Sequence, residues 1–235
     1  MATTVRLILG DQLNASHSWF KSVDDDVIYL IAEMRQETDY VVHHIQKIVA
    51  FFIAMERFAG ALKTKGHRVD YLTLDQRLSY STLDDLICAK VDEYRATRVQ
   101  AMQPDEYRLT QQLLTLKIPK SVTLQIVDSE HFYLPHSQIS DYFAPNQSKR
   151  LEAFYRKLRK RFDVLMLNGE PLGGRWNFDQ ENRNSLKAAD IGKIPTALRF
   201  STPTESILER IKRHDIAFIG TIGETLLWPT SRVEA

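Results

Sequence analysis

The chain has 235 residues, and its 43% hydrophobic and 26% charged content is ordinary for a globular protein of one large domain, with or without an extension. The net charge of +1 excludes a global attraction to nucleic acid, so any such attraction must come from a local patch. The single cysteine, Cys88, excludes an internal disulfide and a cysteine-ligated metal cluster within one chain. Because the sequence has neither a membrane-length apolar run nor a signal-peptide pattern, we expect a cytoplasmic protein without a membrane partner.

Short apolar runs alternate with amphipathic segments through the first half of the chain. The runs cover 5–9, 27–32, 69–74, 98–102 and 122–127. Apolar residues at three- and four-residue steps predict a long helix over 40–63, and shorter helical patterns cover 81–94 and 106–116. Strands that alternate with helices are typical of parallel βαβ units. We therefore predict an α/β, Rossmann-like domain at residues 1–135, with an open, mostly parallel five-stranded sheet flanked by helices.

Residues 136–235 have a different pattern, which predicts a helical and loop extension. The terminal residues from Trp228 onward are not typical of a packed terminus. In chain order the extension contains a basic helix (146–162), a stretch rich in Gly and Asn (167–183), an extended linker (184–203) and one more helix (204–213).

Polar residues follow the predicted strands at their carboxyl ends, where open parallel sheets bind ligands. This edge is acidic and lacks the glycines and cations of a phosphate site, so it suits an uncharged heterocycle better than a nucleotide phosphate. The alternative is that these side chains only cap helices and turns. The residues are Gly10, Asp11, Gln12, Glu33, Asp75, Gln103 and Asp128.

The sequence predicts neither a metal site nor a nucleophile. Adjacent helical side chains point about 100° apart, so His43 and His44 cannot easily share a metal ion and we expect structural roles for both. Cys88 lies in an apolar helical run, where we expect a small buried side chain. A free-standing Rossmann-like enzyme is an alternative that no phosphate loop supports.

The predicted basic helix carries seven cationic side chains within thirteen residues, offset only by Glu152. Such a helix could follow a phosphate backbone, so an alternative function is a binding module that contacts DNA, weakly, or a partner protein. The competing interpretation is a solvated face that docks through the apolar side of the helix. The candidate contacts are Lys149, Arg150, Arg156, Lys157, Arg159, Lys160 and Arg161.

The stretch over 168–179 contains three glycines and two aromatic residues. This composition makes a poor core segment but suits a shaped loop that approaches a partner closely. We therefore add Arg175, Trp176 and Asn177 to the candidate contacts with DNA or with a partner domain.

Four stretches of the chain carry a family resemblance. They read LILGDQL at 7–13, YVVHH at 40–44 continuing to Ala54 and Met55, FYR at 154–156, and GGRWNFDQENR at 173–183. Together they resemble the deoxyribodipyrimidine photolyase-related proteins, the family of iron–sulfur bacterial cryptochromes and (6-4) photolyases. The last stretch is long and specific, and the four span nearly the whole chain.

The resemblance implies a longer flavoprotein that performs light-driven DNA repair or blue-light signalling. It implies an amino-terminal α/β antenna domain, a linker, and a helical domain that holds FAD and a four-cysteine [4Fe–4S] cluster. Since the chain stops at Ala235 with one cysteine, we expect the antenna portion without the FAD and cluster domain, inactive as a lyase alone. A separate FAD-domain chain would then be a partner.

The resemblance also implies an antenna chromophore, 6,7-dimethyl-8-ribityllumazine, which is an uncharged heterocycle with a hydroxylated tail. Relatives carry a smaller aliphatic side chain where this sequence has Phe51, so we expect that ring to narrow or close the slot. The positions that match the antenna pocket of the family are Gly10, Asp11, Glu33, Glu37, Tyr40 and Phe51.

Overall fold

The computed structural model describes residues 3–76, 80–148 and 150–235. The chain forms two compact units, of which the first combines Met1–His131 with Arg199–Ala235 and the second is Phe132–Leu198. The first unit is therefore discontinuous in sequence. Its second stretch falls within the predicted extension. The sequence pattern of this stretch does not indicate that it packs with the sheet.

The strands of the described residues include one long set and several two-residue segments. They are β1 (Thr4–Ile8), β2 (Val27–Ala32), β3 (His43–His44), β4 (Arg68–Leu72), β5 (Arg98–Met102), β6 (Thr123–Val127), β7 (Met166–Leu167), β8 (Glu170–Pro171), β9 (Thr202–Pro203), β10 (Phe218–Ile219) and β11 (Thr225–Leu226).

A five-stranded sheet in the order β4-β2-β1-β5-β6 forms the centre of the first unit, and its strands all pair in parallel. This confirms the predicted α/β class and its open parallel sheet. Strand β1 is the point where strand order reverses, because β2 and β4 lie on one side of it and β5 and β6 on the other. A ligand is expected beyond the carboxyl end of such a strand.

The helices of the described residues are α1 (Gln36–Asp39), α2 (Ile45–Thr64), α3 (Leu83–Tyr94), α4 (Tyr107–Leu114), α5 (Leu151–Phe162), α6 (Ala188–Ile191) and α7 (Glu205–Arg213), with 3-10 turns at Ser18–Phe20, His136–Asp141 and Glu181–Arg183. Five of them lie close to the predicted ranges, whereas the four-residue helices α1 and α6 were not predicted, and α6 lies in the predicted extended linker. None of the helices in the described ranges has the length and apolar character that a membrane crossing requires.

Two helices begin later than the sequence pattern predicts. Helix α2 starts at Ile45 because His43 and His44 pair in parallel with β10, and the His44 ring accepts a hydrogen bond from the Gln46 N–H at 3.2 Å. Helix α5 starts at Leu151 rather than at Asn146, whose φ of 60° lies in the left-handed region that a right-handed helix excludes.

The sheet is buried on both faces, as its continuous apolar strands require. Tyr29 and Ile31 of β2 point to the face covered by α2 and α7, whereas Leu30 between them points to the face covered by α3 and α4. This alternation follows from the two-residue repeat of a strand.

The segment after residue 199 packs on the first of these faces. Ile207 and Ile211 of α7 are at most 1% exposed and belong to the same apolar cluster as α2. Leu226 and Thr230 are also buried, and Arg57 pairs with Glu234 at 3.0 Å. The stretch from Trp228 onward is packed only in part, because Trp228 and Val233 are 58% and 99% exposed. Because these contacts are with residues far away in sequence, the local pattern does not reveal them.

Candidate functional site

A cavity of about 220 Å³ opens at the carboxyl ends of β1 and β2. Its walls also come from the start of α2 and from α4, which follows β5. The cavity therefore lies beside the strand at which strand order reverses, where an open parallel sheet is expected to bind a ligand. Five of the six positions suggested by the family resemblance line it: Gly10, Asp11, Glu37, Tyr40 and Phe51.

Gly10 forms the part of the wall that follows β1. A Cβ atom at this position would lie 3.0 Å from Met55 Sδ and 3.5 Å from the Phe51 ring. The missing side chain therefore leaves room in which a flat group can approach the backbone.

Phe51 lies on the wall of the cavity and does not fill it. Its ring is 39% exposed, and the cavity keeps its volume of about 220 Å³ with the ring in place. The Lys47 Nζ lies 5.9 Å from the ring centroid, one helical turn away on α2. The Phe51 ring therefore does not close the slot, although the sequence allowed for that outcome.

Asp11 supplies a carboxyl group next to Gly10. Water in the open cavity reaches the residue, but the surrounding protein desolvates the carboxyl group, and this burial raises its pKa above the usual value. The nearby carboxylates of Asp105 and Glu37 raise the pKa further, whereas the backbone hydrogen bond of Asp11 and His131 oppose the shift.

Glu37 and Tyr40 are held by a cation at the edge of the cavity. The Arg108 guanidinium donates to both Glu37 oxygens, at 3.3 and 2.7 Å, and to Glu106 Oε1 at 2.7 Å. The same guanidinium lies 4.7 Å from the centroid of the Tyr40 ring. Arg108 thus orients the Glu37 carboxylate through an ion pair and contacts the Tyr40 ring through a cation–π interaction.

Sequence reasoning missed five polar residues in or beside the cavity. Thr38, His43, Lys47 and Glu106 line it, and Arg108 holds two of its carboxylates. The Lys47 Nζ lies 3.2 Å from His43 Nδ1. Lys47 lies four residues before Phe51 on the same side of α2, and this spacing is the signal that could have found it. His43 lies in β3, just before the helix.

Glu33, the sixth suggested position, does not line the cavity. Its side chain is fully buried, Oε1 accepts hydrogen bonds from Tyr71 Oη at 2.7 Å and from Arg210, and Oε2 accepts one from the Leu74 N–H at 2.8 Å. The carboxylate therefore connects the end of β2 to α7 and is buried away from the cavity.

Other polar residues at the strand ends are also used within the fold. Gln12 is 1% exposed, and its amide accepts from the Leu9 N–H at 3.1 Å. Asp75 accepts hydrogen bonds from Arg213 and His214, both at 2.8 Å, and these bonds lower the pKa of Asp75 to about 2. Gln12 and Asp75 therefore cap and anchor elements of the fold, which was the alternative to a role in ligand binding.

Metal ligands and thiol chemistry find little support. No group of three or more His, Cys, Asp and Glu side chains is arranged to hold a metal ion within the described ranges. His44 caps α2, which agrees with the structural role predicted for it. Cys88 is only half-buried, contrary to expectation, and its thiol donates to the Lys117 carbonyl at 3.0 Å.

In the second unit, helix α5 uses part of its predicted positive charge internally. Arg159 is 7% exposed and donates to the carbonyl groups of Val164, at 3.0 Å, and Leu165. Arg156 pairs with Glu152. Arg161 donates to Tyr142 Oη at 3.0 Å and to Gln138 Oε1 at 2.6 Å. Lys149 lies outside the described residues.

The glycine-rich loop packs against this helix through Trp176. The charged groups of Arg156, Arg159 and Lys160 lie 5.3 to 5.5 Å from the centroid of the Trp176 ring. Arg175 pairs with Glu181, and Asn177 bonds to Asp179 at 2.9 Å. The aromatic residue that sequence analysis assigned to an external contact is therefore half-buried against α5.

Comparison with known proteins identifies the family. The sequence profile of the deoxyribodipyrimidine photo-lyase-related proteins matches residues 6–227. The chain belongs to this family. This confirms the resemblance drawn from the four motif stretches.

Two relatives show how the match is distributed. The chain is 34% identical over 183 residues to a (6-4) photolyase of Agrobacterium fabrum. The aligned region covers 77% of this chain and 36% of that protein. The chain thus spans about a third of the length of that photolyase. It is 21% identical over 168 residues to an uncharacterized protein of Acanthamoeba polyphaga mimivirus, covering 68% of this chain and 83% of the viral protein.

Proposed function

We propose that the cavity of the first unit binds an antenna chromophore, and that the chain serves as the antenna portion of a photolyase-related flavoprotein. The ligand we expect is 6,7-dimethyl-8-ribityllumazine. The observation that carries the proposal is that five residues chosen from the family resemblance, and from no structural information, meet around one cavity beside β1.

The shape of the cavity suits a planar ring. Gly10 leaves the backbone accessible, and Phe51 and Tyr40 offer aromatic faces on the wall. Aromatic groups attract each other in offset or edge-to-face arrangements with centroids about 4.5–7 Å apart. A heterocycle that entered between these residues would replace water at apolar surface from Met55 and Ile48.

The charges of the cavity favour a tail of hydroxyl groups over a phosphate. Asp11, Glu37 and Glu106 are the acidic residues that line the cavity, whereas Lys47 is the cation among the lining residues. Arg108 pairs with Glu37 and Glu106, so Asp11 is the lining carboxylate that has no salt bridge within the described residues. Carboxylates accept hydrogen bonds from ring N–H and ribityl O–H groups but repel a phosphate.

The other cofactors implied for the family do not fit the residues of this chain. The diphosphate of FAD would meet the carboxylates of the cavity, and one cysteine cannot bind a four-cysteine [4Fe–4S] cluster. In the light-driven repair or signalling that we propose for the whole protein, the bound heterocycle supplies light absorption. The part of this chain is to bind that heterocycle and exclude water from its ring.

Titration of the lumazine with purified protein tests the proposal. We expect its fluorescence polarisation to rise to saturation, with one ligand bound per chain. Phe51→Ile removes a ring from the wall without filling the cavity, so this variant should still bind. Gly60→Ala on the exposed side of the same helix, with nothing within 4 Å of the added Cβ, is the matched control and should bind as the wild type does.

Two other outcomes are informative. Binding by Phe51→Ile alone would show that the wild-type ring closes the slot in solution. If neither the wild type nor Phe51→Ile binds the lumazine at saturating concentration, the antenna proposal is wrong.

The binding-module alternative has less support from the geometry. An open track for a phosphate backbone needs cations that face solvent. Arg159 is instead buried, and Arg156 and Arg161 are held by neighbouring side chains. Arg150 and Lys157 are exposed and have no such partner among the described residues, so the helix offers a local cationic site and not a continuous track. If α5 contacts DNA at all, we expect weak binding that declines steeply with added salt.

A further inference from the structure

A second cavity, of about 180 Å³, lies at the start of α5 in the second unit. Arg150, Ala153, Phe154 and Lys157 line it from one face of the helix, and Tyr142 closes another side. The spacing of the four helical residues places their side chains together, because residues three and four apart are neighbours on a helix surface.

The two cations of this cavity are not used by the fold. Within the described ranges, the side chains of Arg150 and Lys157 form no hydrogen bond and no ion pair, and no acidic side chain lines the cavity. This differs from Arg156, Arg159 and Arg161, which all have acceptors on the same helix or near it. Two unpaired cations at one cavity create a positive potential that an anion would neutralise.

The start of α5 adds to this potential. Among the described residues, no side chain accepts a hydrogen bond from the first N–H groups of the helix. The amino-terminal end of a helix carries a partial positive charge and favours phosphate. Arg150 is the capping residue itself, which brings its guanidinium to the same end.

Aromatic rings form the apolar side of the cavity. Tyr142 and Phe154 lie edge to face with centroids 5.4 Å apart, and the centroid of the Phe143 ring lies 4.7 Å from that of Phe154. The Tyr142 hydroxyl accepts a hydrogen bond from Arg161, which fixes its ring. A fixed pair of rings next to two cations is complementary to a planar group that carries a negative charge.

We propose that this cavity binds a phosphate monoester attached to a planar ring, which is the chemistry of a nucleotide. The phosphate would lie between Arg150 and Lys157, and the ring would contact Phe154 and Tyr142. The site is separate from the proposed chromophore cavity and has the opposite charge preference. A free mononucleotide and one nucleotide of a single strand share this chemistry.

Calorimetric titration with adenosine 5′-monophosphate tests the site. We expect saturable binding of the monophosphate that is at least tenfold tighter than binding of adenosine, since adenosine lacks the phosphate that accepts charge-assisted hydrogen bonds from the two cations. Arg150→Gln and Lys157→Gln should each weaken it about tenfold. Phe154→Leu should reduce the preference for the monophosphate over inorganic phosphate.

The control is Arg183→Gln, an exposed cation of the same unit that does not line the cavity, and it should bind as the wild type does. The exposed positions of Arg150 and Lys157 leave folding unaffected, which circular dichroism checks. If a short single-stranded oligonucleotide binds and both variants lose affinity for it to the same extent, the natural ligand is a strand. If only the monophosphate binds, the natural ligand is a free nucleotide. Equal binding of adenosine and its monophosphate would overturn the proposal. Unchanged binding of the monophosphate by a variant that carries both Arg150→Gln and Lys157→Gln would also overturn it.

Discussion

At Gly10 a single missing side chain keeps the chromophore cavity open. Its φ is not in the left-handed region, so the backbone there tolerates other residues, and the space around it is the constraint. The nearest atom to an added Cβ is Met55 Sδ at 3.0 Å, at the end of a side chain that can move. A longer side chain would continue into the cavity.

Gly10→Leu should therefore abolish lumazine binding while leaving the fold intact. We expect the affinity to decrease at least tenfold, because the leucine occupies the space of the ring and overpacking costs about 1–3 kcal/mol. Fluorescence polarisation measures the affinity and thermal unfolding measures the stability. Gly10→Leu binding with wild-type affinity would place the ligand elsewhere.

Single residues also show where sequence-based prediction stopped. Gly10 and Asp11 could be placed at the site because they directly follow an apolar run, and a strand end is visible in the sequence. Glu33 follows such a run as well, but its buried carboxylate pairs with Arg210, which is 177 positions away in the chain. No local pattern contains that partner, so only the structure separates a ligand-facing acid from an anchoring one.

Among the elements, α7 connects the carboxyl-terminal segment to the cavity-bearing helix. Ile207 and Ile211 pack in the same cluster as Ile48 and Phe52 of α2, the helix that carries Phe51. The Arg210 side chain between them pairs with the buried Glu33. Helix α7 is therefore part of the support of α2 and not a linker.

Ile211→Ala should destabilise the first unit by about 3 kcal/mol. The side chain is 0% exposed, and removal of a buried isoleucine costs about 2–5 kcal/mol through lost burial and the cavity that remains. Ile219→Ala removes the same atoms at a position that is 59% exposed, and it should change stability by less than about 0.5 kcal/mol. Urea unfolding measures the stability of both variants. A loss for Ile211→Ala as small as the one expected for Ile219→Ala would mean that α7 does not stabilise the sheet.

The long strands could be predicted because a strand that is buried on both faces requires apolar residues along its length. The ranges of β2 and β5 agree residue for residue with their apolar runs, since both faces of the sheet are covered. The pair β3 and β10 could not be predicted, because two-residue strands have no periodicity and depend on a partner distant in the chain. This pair also explains why α2 begins later than its apolar pattern.

The whole molecule divides into two units that differ in how much they bury. The first contains two apolar clusters, one on each face of the sheet. In the described part of the second unit, Leu134 is the buried hydrophobic residue, whereas Leu151, Leu186 and Leu198 are 69% to 85% exposed. Local stability follows burial, so the two units should open with different free energies.

Native-state hydrogen exchange measures this difference. We expect backbone amides of β1 and β2 to exchange at least about a hundredfold more slowly than those of α5, because opening of the first unit exposes far more apolar surface. Helix α2 is the control for helical amides and should be protected like the sheet. Equal protection of α2 and α5 would contradict the expectation.

The discontinuity of the first unit has a consequence for its biosynthesis. When His131 leaves the ribosome, all five strands of the sheet have been made, but Ile211 follows about 80 residues later, which is roughly 4–16 s at about 5–20 residues per second. During that delay the nascent sheet exposes the apolar face that α7 later covers. A binding protein that recognises nascent apolar surface would therefore have its longest opportunity on this side of β2.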